Sequence, residues 1–298
     1  VVDEQHRFGV HQRLALREKG VTGDHSPHQL VMTATPIPRT LSMSVYADMD
    51  VSVIDELPPG RKPVTTTVMS DEKREAVINR VADAVQEGRQ AYWVCTLIEE
   101  SEALQCQAAE VTADELTSLL PDARIGLVHG RMNSAAKATV MNEFKVGNID
   151  LLVATTVIEV GVDVSNASLM IIENSERLGL AQLHQLRGRV GRGSTESHCV
   201  LMYKKPLGTQ SRDRLEVMRE SNDGFYIAER DLEIRGPGEL LGVRQSGALQ
   251  FRIADLLRDQ TMLPDVRKVS LELMTKQRNK ADLLVRRWIK DPERIGQV

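Results

Sequence analysis

Asp150-Leu151-Leu152-Val153-Ala154-Thr155-Thr156-Val157-Ile158-Glu159-Val160-Gly161-Val162-Asp163 begins as an apolar run, breaks on two hydroxyls and leads to a glycine and an acid. The run Asp150–Thr155 reads as a strand, and the residues after it as a short helix. A helix N-terminus with hydroxyls and free N–H groups is a natural phosphate seat, here a nucleic-acid backbone phosphate at Thr155, with Gly161 and Asp163 facing a nucleotide. Ordinary packing of a strand against the following helix explains the same residues. The stretch therefore bears on the fold before it bears on function.

Working outward, further short apolar or β-branched runs predict strands at Thr65–Met69, Gln90–Leu97, Ile125–His129, Leu169–Glu173 and His198–Tyr203. Helical patterns lie between them, and that alternation specifies an α/β domain with a parallel sheet covered by helices. Ser70 is placed to cap a helix with Asp71 and Glu72 in its first turn and Val77, Ile78, Val81 and Val85 on one face, with Gly88 as its stop. Thr112 and Glu115 predict a capping box opening the next helix, which Pro121 closes. Another helix is expected over about Ser134 to Val146, before Gly147.

Upstream, Val1–His6 and Gln29–Thr33 read as two strands left from a preceding α/β domain. Leu57-Pro58-Pro59-Gly60-Arg61-Lys62-Pro63 forbids a continuing helix and marks the linker. Beyond Pro206 the pattern turns helical, breaks at Ser221-Asn222-Asp223-Gly224 as in a helical hairpin, and runs into the glycine-rich segment Gly236 to Gly247. The expected division is 1–57, 58–205 and 206–298.

The 298 residues are 41% hydrophobic, 27% charged and 3% aromatic, so an aliphatic core is expected. No apolar run approaches a bilayer span and no signal peptide is visible, which reads as cytoplasmic. Cys95, Cys106 and Cys199 have no metal-type spacing, and no pattern completes a metal site around His6, His11, His25 and His28. The net charge of −4 argues by itself against a nucleic-acid binder. Its distribution is uneven: residues 204–298 carry 19 Lys/Arg against 15 Asp/Glu, and residues 1–203 carry 19 against 27.

Two clusters carry candidate chemistry. Asp3-Glu4-Gln5-His6 follows an apolar strand start, where an α/β sheet presents functional groups. Asp3 would hold magnesium through water, Glu4 would handle the attacking water, and His6 would sense that state. Thr33-Ala34-Thr35-Pro36 ends the next strand with the hydroxyls of Thr33 and Thr35, placed to couple nucleotide state to domain closure, although an ordinary strand-ending turn has the same composition. In the second cluster, Gln185-Leu186-Arg187-Gly188-Arg189-Val190-Gly191-Arg192, glycines flank three arginines. Arg189 and Arg192 are expected to neutralise charge on a transferring phosphoryl group, and Gln185 to contact nucleotide. No G-x-x-x-x-G-K-[ST] phosphate loop occurs, and such a loop belongs upstream of the Asp-Glu strand. The chain reads as the C-terminal fragment of a larger motor, expected not to turn over ATP alone.

Taken in order, DEQH, TATP, ATTVIEVGVDV and QLRGRVGR resemble motifs II, III, V and VI of superfamily-two helicases with two RecA-like domains. TATPIPRTL, the HGRM segment with Arg131, ERLGLAQLHQLRGRVGRG and DLEIRGPGELLGVRQSG at Asp231–Gly247 look like the RecG family of branched-DNA translocases. The resemblance implies a RecA-like second domain behind a remnant of the first, followed by a mostly helical translocation motif. It also implies ATP and magnesium as cofactors and a monomer that branch-migrates forks and Holliday junctions. A single-stranded DNA-binding protein is a further implied partner, at the bacterial nucleoid. Arg131, Thr155, Thr33 and Thr35 would contact DNA or couple to it, and Arg235 and Gln245 would convert domain movement into displacement. A transcription-repair coupling motor of the Mfd type, and a non-catalytic DNA-binding module that kept the motifs as scaffold, remain as alternatives.

Overall fold

The computed structural model describes residues 1–3, 19, 28–33, 52–54, 56, 58–96, 102–156, 164–235 and 258–288. Val2–Asp3 (β1) and Val31–Met32 (β2) pair in parallel, with Val2 opposite Val31 and Asp3 opposite Met32. They belong to one compact unit, Val1–Ile54 with Arg235–Val298; Asp55–Ile234 forms another.

The second unit is built on six parallel strands. These are Thr65–Ser70 (β3), Gln90–Val94 (β4), Ile125–Val128 (β5), Leu151–Ala154 (β6), Ala167–Ile172 (β7) and His198–Tyr203 (β8), in the order β3-β8-β7-β4-β6-β5. The expected strands therefore form, each within a few residues of its anticipated limits. Three helices connect successive strands: Arg74–Gln86 (α1), Glu102–Leu119 (α2) and Ser134–Lys145 (α3). Leu180–Arg187 (α4) joins β7 to β8, and Thr209–Glu220 (α5) and Gly224–Arg235 (α6) follow as the anticipated hairpin.

Side chains of successive strand residues point to opposite faces, and here both faces are covered. Tyr92, Val94, Leu152, Met170 and Ile172 pack with Phe144 of α3, Leu183 of α4, Met218 of α5 and Ile227 of α6. Trp93, Leu151, Val153, Leu169 and Ile171 pack on the other face with residues of α1 and α2 such as Val81 and Leu116. Tyr92 and Phe144 meet edge to face, with ring centroids 4.9 Å apart. Gln90, 3% exposed, donates from Nε2 to the carbonyls of Phe144 at 2.6 Å and Ile149 at 2.7 Å.

Local chemistry sets several helix ends. The Ser70 hydroxyl accepts from the Glu72 N–H at 3.4 Å and caps a 3₁₀ turn, Asp71–Lys73, that feeds α1; Gly88, at φ +75°, turns the chain after it. Asn133 caps α3 by accepting from the Ala136 N–H at 2.8 Å. One expectation is corrected. Helix α2 is already formed at Glu102, so Thr112 lies buried in its interior and opens no capping box. The amphipathic pattern continues upstream through the buried Cys106 and Ala109, and packing outweighs a weak cap signal.

The hairpin is tied to the sheet through α4. The Arg187 side chain, 3% exposed, donates from Nη1 to the carbonyls of Met218 and Ser221, each at 2.8 Å, and to the Thr66 hydroxyl at 3.3 Å. Those carbonyls lie at the C-terminal end of α5, where the helix dipole favours a cation. A second link comes from Arg214 and Ser211 of α5, which donate to the Glu176 carbonyl at 2.8 and 3.1 Å. The His184 ring nitrogen Nδ1 lies 3.2 Å from Arg187 Nη2. The guanidinium is always charged, so the imidazole accepts there and stays neutral. Burial, then the Arg187 charge, push the His184 pKa down to about 4.

Leu263–Lys276 (α7) and Arg278–Trp288 (α8) lie in the first unit, with Val266, Leu271, Met274, Leu283 and Trp288 exposed. Among the described residues no helix is long and apolar enough to cross a membrane.

Two outcomes follow for stability. Arg187→Lys keeps the charge but loses the planar fork that meets the α5 carbonyls and Thr66 from Nη1 and His184 from Nη2, and should cost roughly 2–3 kcal/mol. Urea titration in a Trp288→Phe background, with the buried Trp93 as reporter, measures it. His184 is depressed in the folded state, so its contribution is complete above the unfolded pKa of 6.5 and is lost as pH falls towards 4. The drop should total about 3 kcal/mol, and His184→Gln, which retains an acceptor, should flatten that part of the profile. An unchanged acid slope in His184→Gln would contradict the assignment.

Candidate functional site

Six parallel strands put six carboxyl ends on one edge of the sheet, the edge where α/β proteins bind ligands. Thr155 follows β6 there; it is 1% exposed and donates its N–H to the Val128 carbonyl at 3.1 Å. Its hydroxyl is buried and has no hydrogen-bond partner among the described residues. An unpaired buried hydroxyl is costly, so a ligand oxygen arriving at this edge would find a ready donor. Beside it, His129–Met132 form a turn closed by the Met132 N–H to the His129 carbonyl at 3.3 Å. Lys137 of α3 donates to the Gly130 carbonyl at 2.7 Å, and His129 Nε2 stands 3.5 Å from the Glu110 carboxylate. That turn presents Arg131 to solvent.

At the ends of β4 and β7, Thr96 donates its hydroxyl to the carbonyls of Glu173 at 2.7 Å and Asn174 at 3.1 Å. Arg74 bridges from α1 to Glu173 at 2.8 Å and to Glu115 of α2 at 2.7 Å, with its guanidinium 5.3 Å from the Trp93 ring centroid. The network fixes two helices to this edge. Burial and the neighbouring Glu173 charge push the Cys95 thiol up to about 12, so it stays protonated and unreactive.

The arginine segment divides into two structural parts. Leu180, Leu183, Leu186 and Arg187 are the buried positions of α4, which starts where Gln182 Oε1 accepts from the Gly179 N–H at 3.3 Å. Arg187 thus belongs to the core stripe, whereas Arg189 is half-buried and Arg192 exposed. After Gly188 the helix has ended, and Arg189 and Arg192 stand on a loop. Arg192 Nε donates back to the Gly188 carbonyl at 3.2 Å. Gly191 holds φ +74°, and a Cβ on it would come 2.7 Å from Val64 Cγ2; one on Gly193 would come 2.5 Å from the Ser165 carbonyl. Both contacts need glycine, so the loop is seated on the domain. Gln185 is half-buried on α4.

In the other unit, Asp3 and Thr33 are exposed at the carboxyl end of the β1-β2 pair. An exposed carboxylate at such an end suits a magnesium ion held through water. Glu4, His6, Thr35, Gly161, Asp163 and Gln245 lie outside the described residues, and Arg235 is the last residue of α6. Two residues went unmarked in the sequence. Arg187 could have been separated from its neighbours by its spacing, four after Leu183 and seven after Leu180. Arg61 of the linker, whose Nε donates to the Gly191 carbonyl at 2.9 Å, carries no local signal because its partner is 130 residues away.

Residues 69–194 match the family description "Helicase conserved C-terminal domain", and residues 221–287 match "ATP-dependent DNA helicase RecG, domain 3, C-terminal". The ATP-dependent DNA helicase RecG of Pasteurella multocida (strain Pm70) is 65% identical over 294 residues, covering 98% of this chain and 42% of that protein. The RecG of Escherichia coli (strain K12) is 64% identical over 297 residues, covering 99% of this chain and 43% of that protein. A solved structure of RecG bound to a three-way DNA junction superposes with a TM-score of 0.67 at 43% identity, over 88% of this chain and 33% of that one. The chain thus spans about two-fifths of the length of these curated relatives. The match to RecG's own domain 3 decides between the two motor families that the sequence left open. The chain is homologous to the C-terminal part of the RecG family of ATP-dependent DNA helicases.

Proposed function

We propose that this chain carries the second RecA-like domain and the translocation segment of an ATP-driven motor acting on branched double-stranded DNA, including forks and Holliday junctions. The observation that supports this best is the mount of the arginine loop. A solvated arginine cluster needs no left-handed glycine against Val64 and no glycine against Ser165, whereas groups that must meet a phosphoryl group in a fixed geometry do.

In this reading Arg189 and Arg192 neutralise charge developing on the transferring phosphoryl group of ATP. Asp3 holds magnesium through water, Glu4 orients the attacking water and His6 responds to nucleotide state. The metal, when bound, offsets the negative charge of the phosphates. Gln185, Gly161 and Asp163 face the nucleotide. Thr155 donates its unpaired hydroxyl to a backbone phosphate, Arg131 adds charge on the adjacent turn, and Thr33 and Thr35 pass the nucleotide state onward. The domain division 1–57, 58–205 and 206–298 is a functional one. The hairpin α5–α6 packs within the compact unit 55–234, which suits an element driven by the second domain. A monomer working in the bacterial cytoplasm at the nucleoid, alongside a single-stranded DNA-binding protein, completes the reading.

In the full-length protein, Arg189→Ala and Arg192→Ala should each lower kcat for DNA-stimulated ATP hydrolysis roughly 10³-fold or more, with melting temperature unchanged. Near wild-type turnover in both would favour a non-catalytic DNA-binding module. Arg235→Ala or Gln245→Ala should keep much of the ATPase and lose branch migration on a synthetic junction. Parallel loss of melting temperature, ATPase and junction unwinding would sink the coupling role.

A further inference from the structure

The loop bearing Arg189 and Arg192 is held from outside its own helix, by the segment that enters β3. Pro58 and Arg61 close a turn, with the Arg61 N–H donating to the Pro58 carbonyl at 3.1 Å and Gly60 at φ +82°. That turn aims the half-buried Arg61 guanidinium at the Gly191 carbonyl, 2.9 Å from Nε. The contact continues along the chain. Val64 packs against the Gly191 backbone, and the Thr65 N–H donates to the Ser197 carbonyl at 2.9 Å. Lys62 and Glu196 approach to 3.6 Å, but both are exposed, and such pairs contribute little. Arg61 is therefore a polar anchor of the linker on the loop, and it grips Gly191, one of the two residues between Arg189 and Arg192.

We propose that Arg61 is a positioning residue for ATP turnover: it ties the linker to the arginine loop, so that the placement of Arg189 and Arg192 depends on the conformation of residues 58–61. The proposal rests on the reading of Arg189 and Arg192 as phosphoryl-charge neutralisers. A charged guanidinium holding a backbone carbonyl makes a bond stronger than a neutral one, and it acts on peptide geometry and not on substrate. Loss of that bond leaves the domain folded, because Gly191, Gly193 and the sheet keep their other contacts. What changes is the position of the two arginines, and displacements near 1 Å at a reacting centre cost up to about 10²-fold.

The test uses the full-length protein, with a synthetic fork as the DNA and ATP as the substrate. Arg61→Ala should lower kcat between about 10- and 100-fold with the KM for ATP and the melting temperature little changed. Arg61→Lys, which retains a donor, should recover part of the loss, and Lys62→Ala should leave turnover unaltered. The decisive arm places Arg61→Ala in an Arg192→Lys background, which keeps a charge and measurable turnover. A positioning role predicts that the two effects do not add, because the second change disturbs a loop already out of place. Wild-type kcat in Arg61→Ala, strict additivity in the double variant, or loss of melting temperature in step with kcat would each overturn the proposal. Undiminished turnover in Arg189→Ala and Arg192→Ala would instead remove the reading on which it rests.

Discussion

A parallel sheet covered on both faces leaves one place for chemistry. Every strand of the 55–234 unit is shielded above by α1 and α2 or below by α3 to α6, so polar groups inside must find partners within the protein. Gln90 does so at the amino end of β4, where it satisfies two carbonyls at the end of α3 and in the loop after it. Ser175 does so by donating to the Met202 carbonyl at 2.9 Å. Thr155 at the carboxyl edge keeps a buried hydroxyl that nothing among the described residues satisfies, as do Ser168 Oγ and Trp93 Nε1 elsewhere in the sheet.

The segment Gln185–Arg192 shows how position turns one residue type to different ends. Arg187, on the buried stripe of α4, has no carboxylate against it among the described residues, and its charge is met by the terminal carbonyls of a helix end. It fastens the hairpin to the sheet. Arg189 and Arg192 lie only two and five residues further on, past the end of the helix, on a loop whose shape is set by glycine contacts with Val64 and Ser165. The hairpin and the arginine loop therefore share α4 as their common support.

Much of this was legible along the chain. Strands buried in a parallel sheet are short apolar runs, so β3 to β8 stood out, and Ser70, Gly88 and Gly147 punctuated the helices by local chemistry alone. The helix bearing Thr112 did not read correctly, because a threonine followed by glutamate mimics a helix start wherever it occurs. Only the burial of Cys106 and Ala109 against β4 and β6 reveals that the helix is already under way. Arg187 was read with its neighbours because charge is the louder signal than a stripe of three leucines.

By itself, the sequence determined the class of fold and the order of strands and helices along the chain, and it supplied the groups proposed for phosphate chemistry. Those follow from periodicity, caps and residue type, which act over a few positions. The tertiary structure alone decided the spatial order β3-β8-β7-β4-β6-β5, the burial of Arg187 under α5, the Arg74 bridge between Glu115 and Glu173, and the grip of Arg61 on Gly191. Each of these joins residues some 30 to 130 positions apart in the chain. No local preference encodes such pairs, because they exist only once the sheet has assembled and desolvated them.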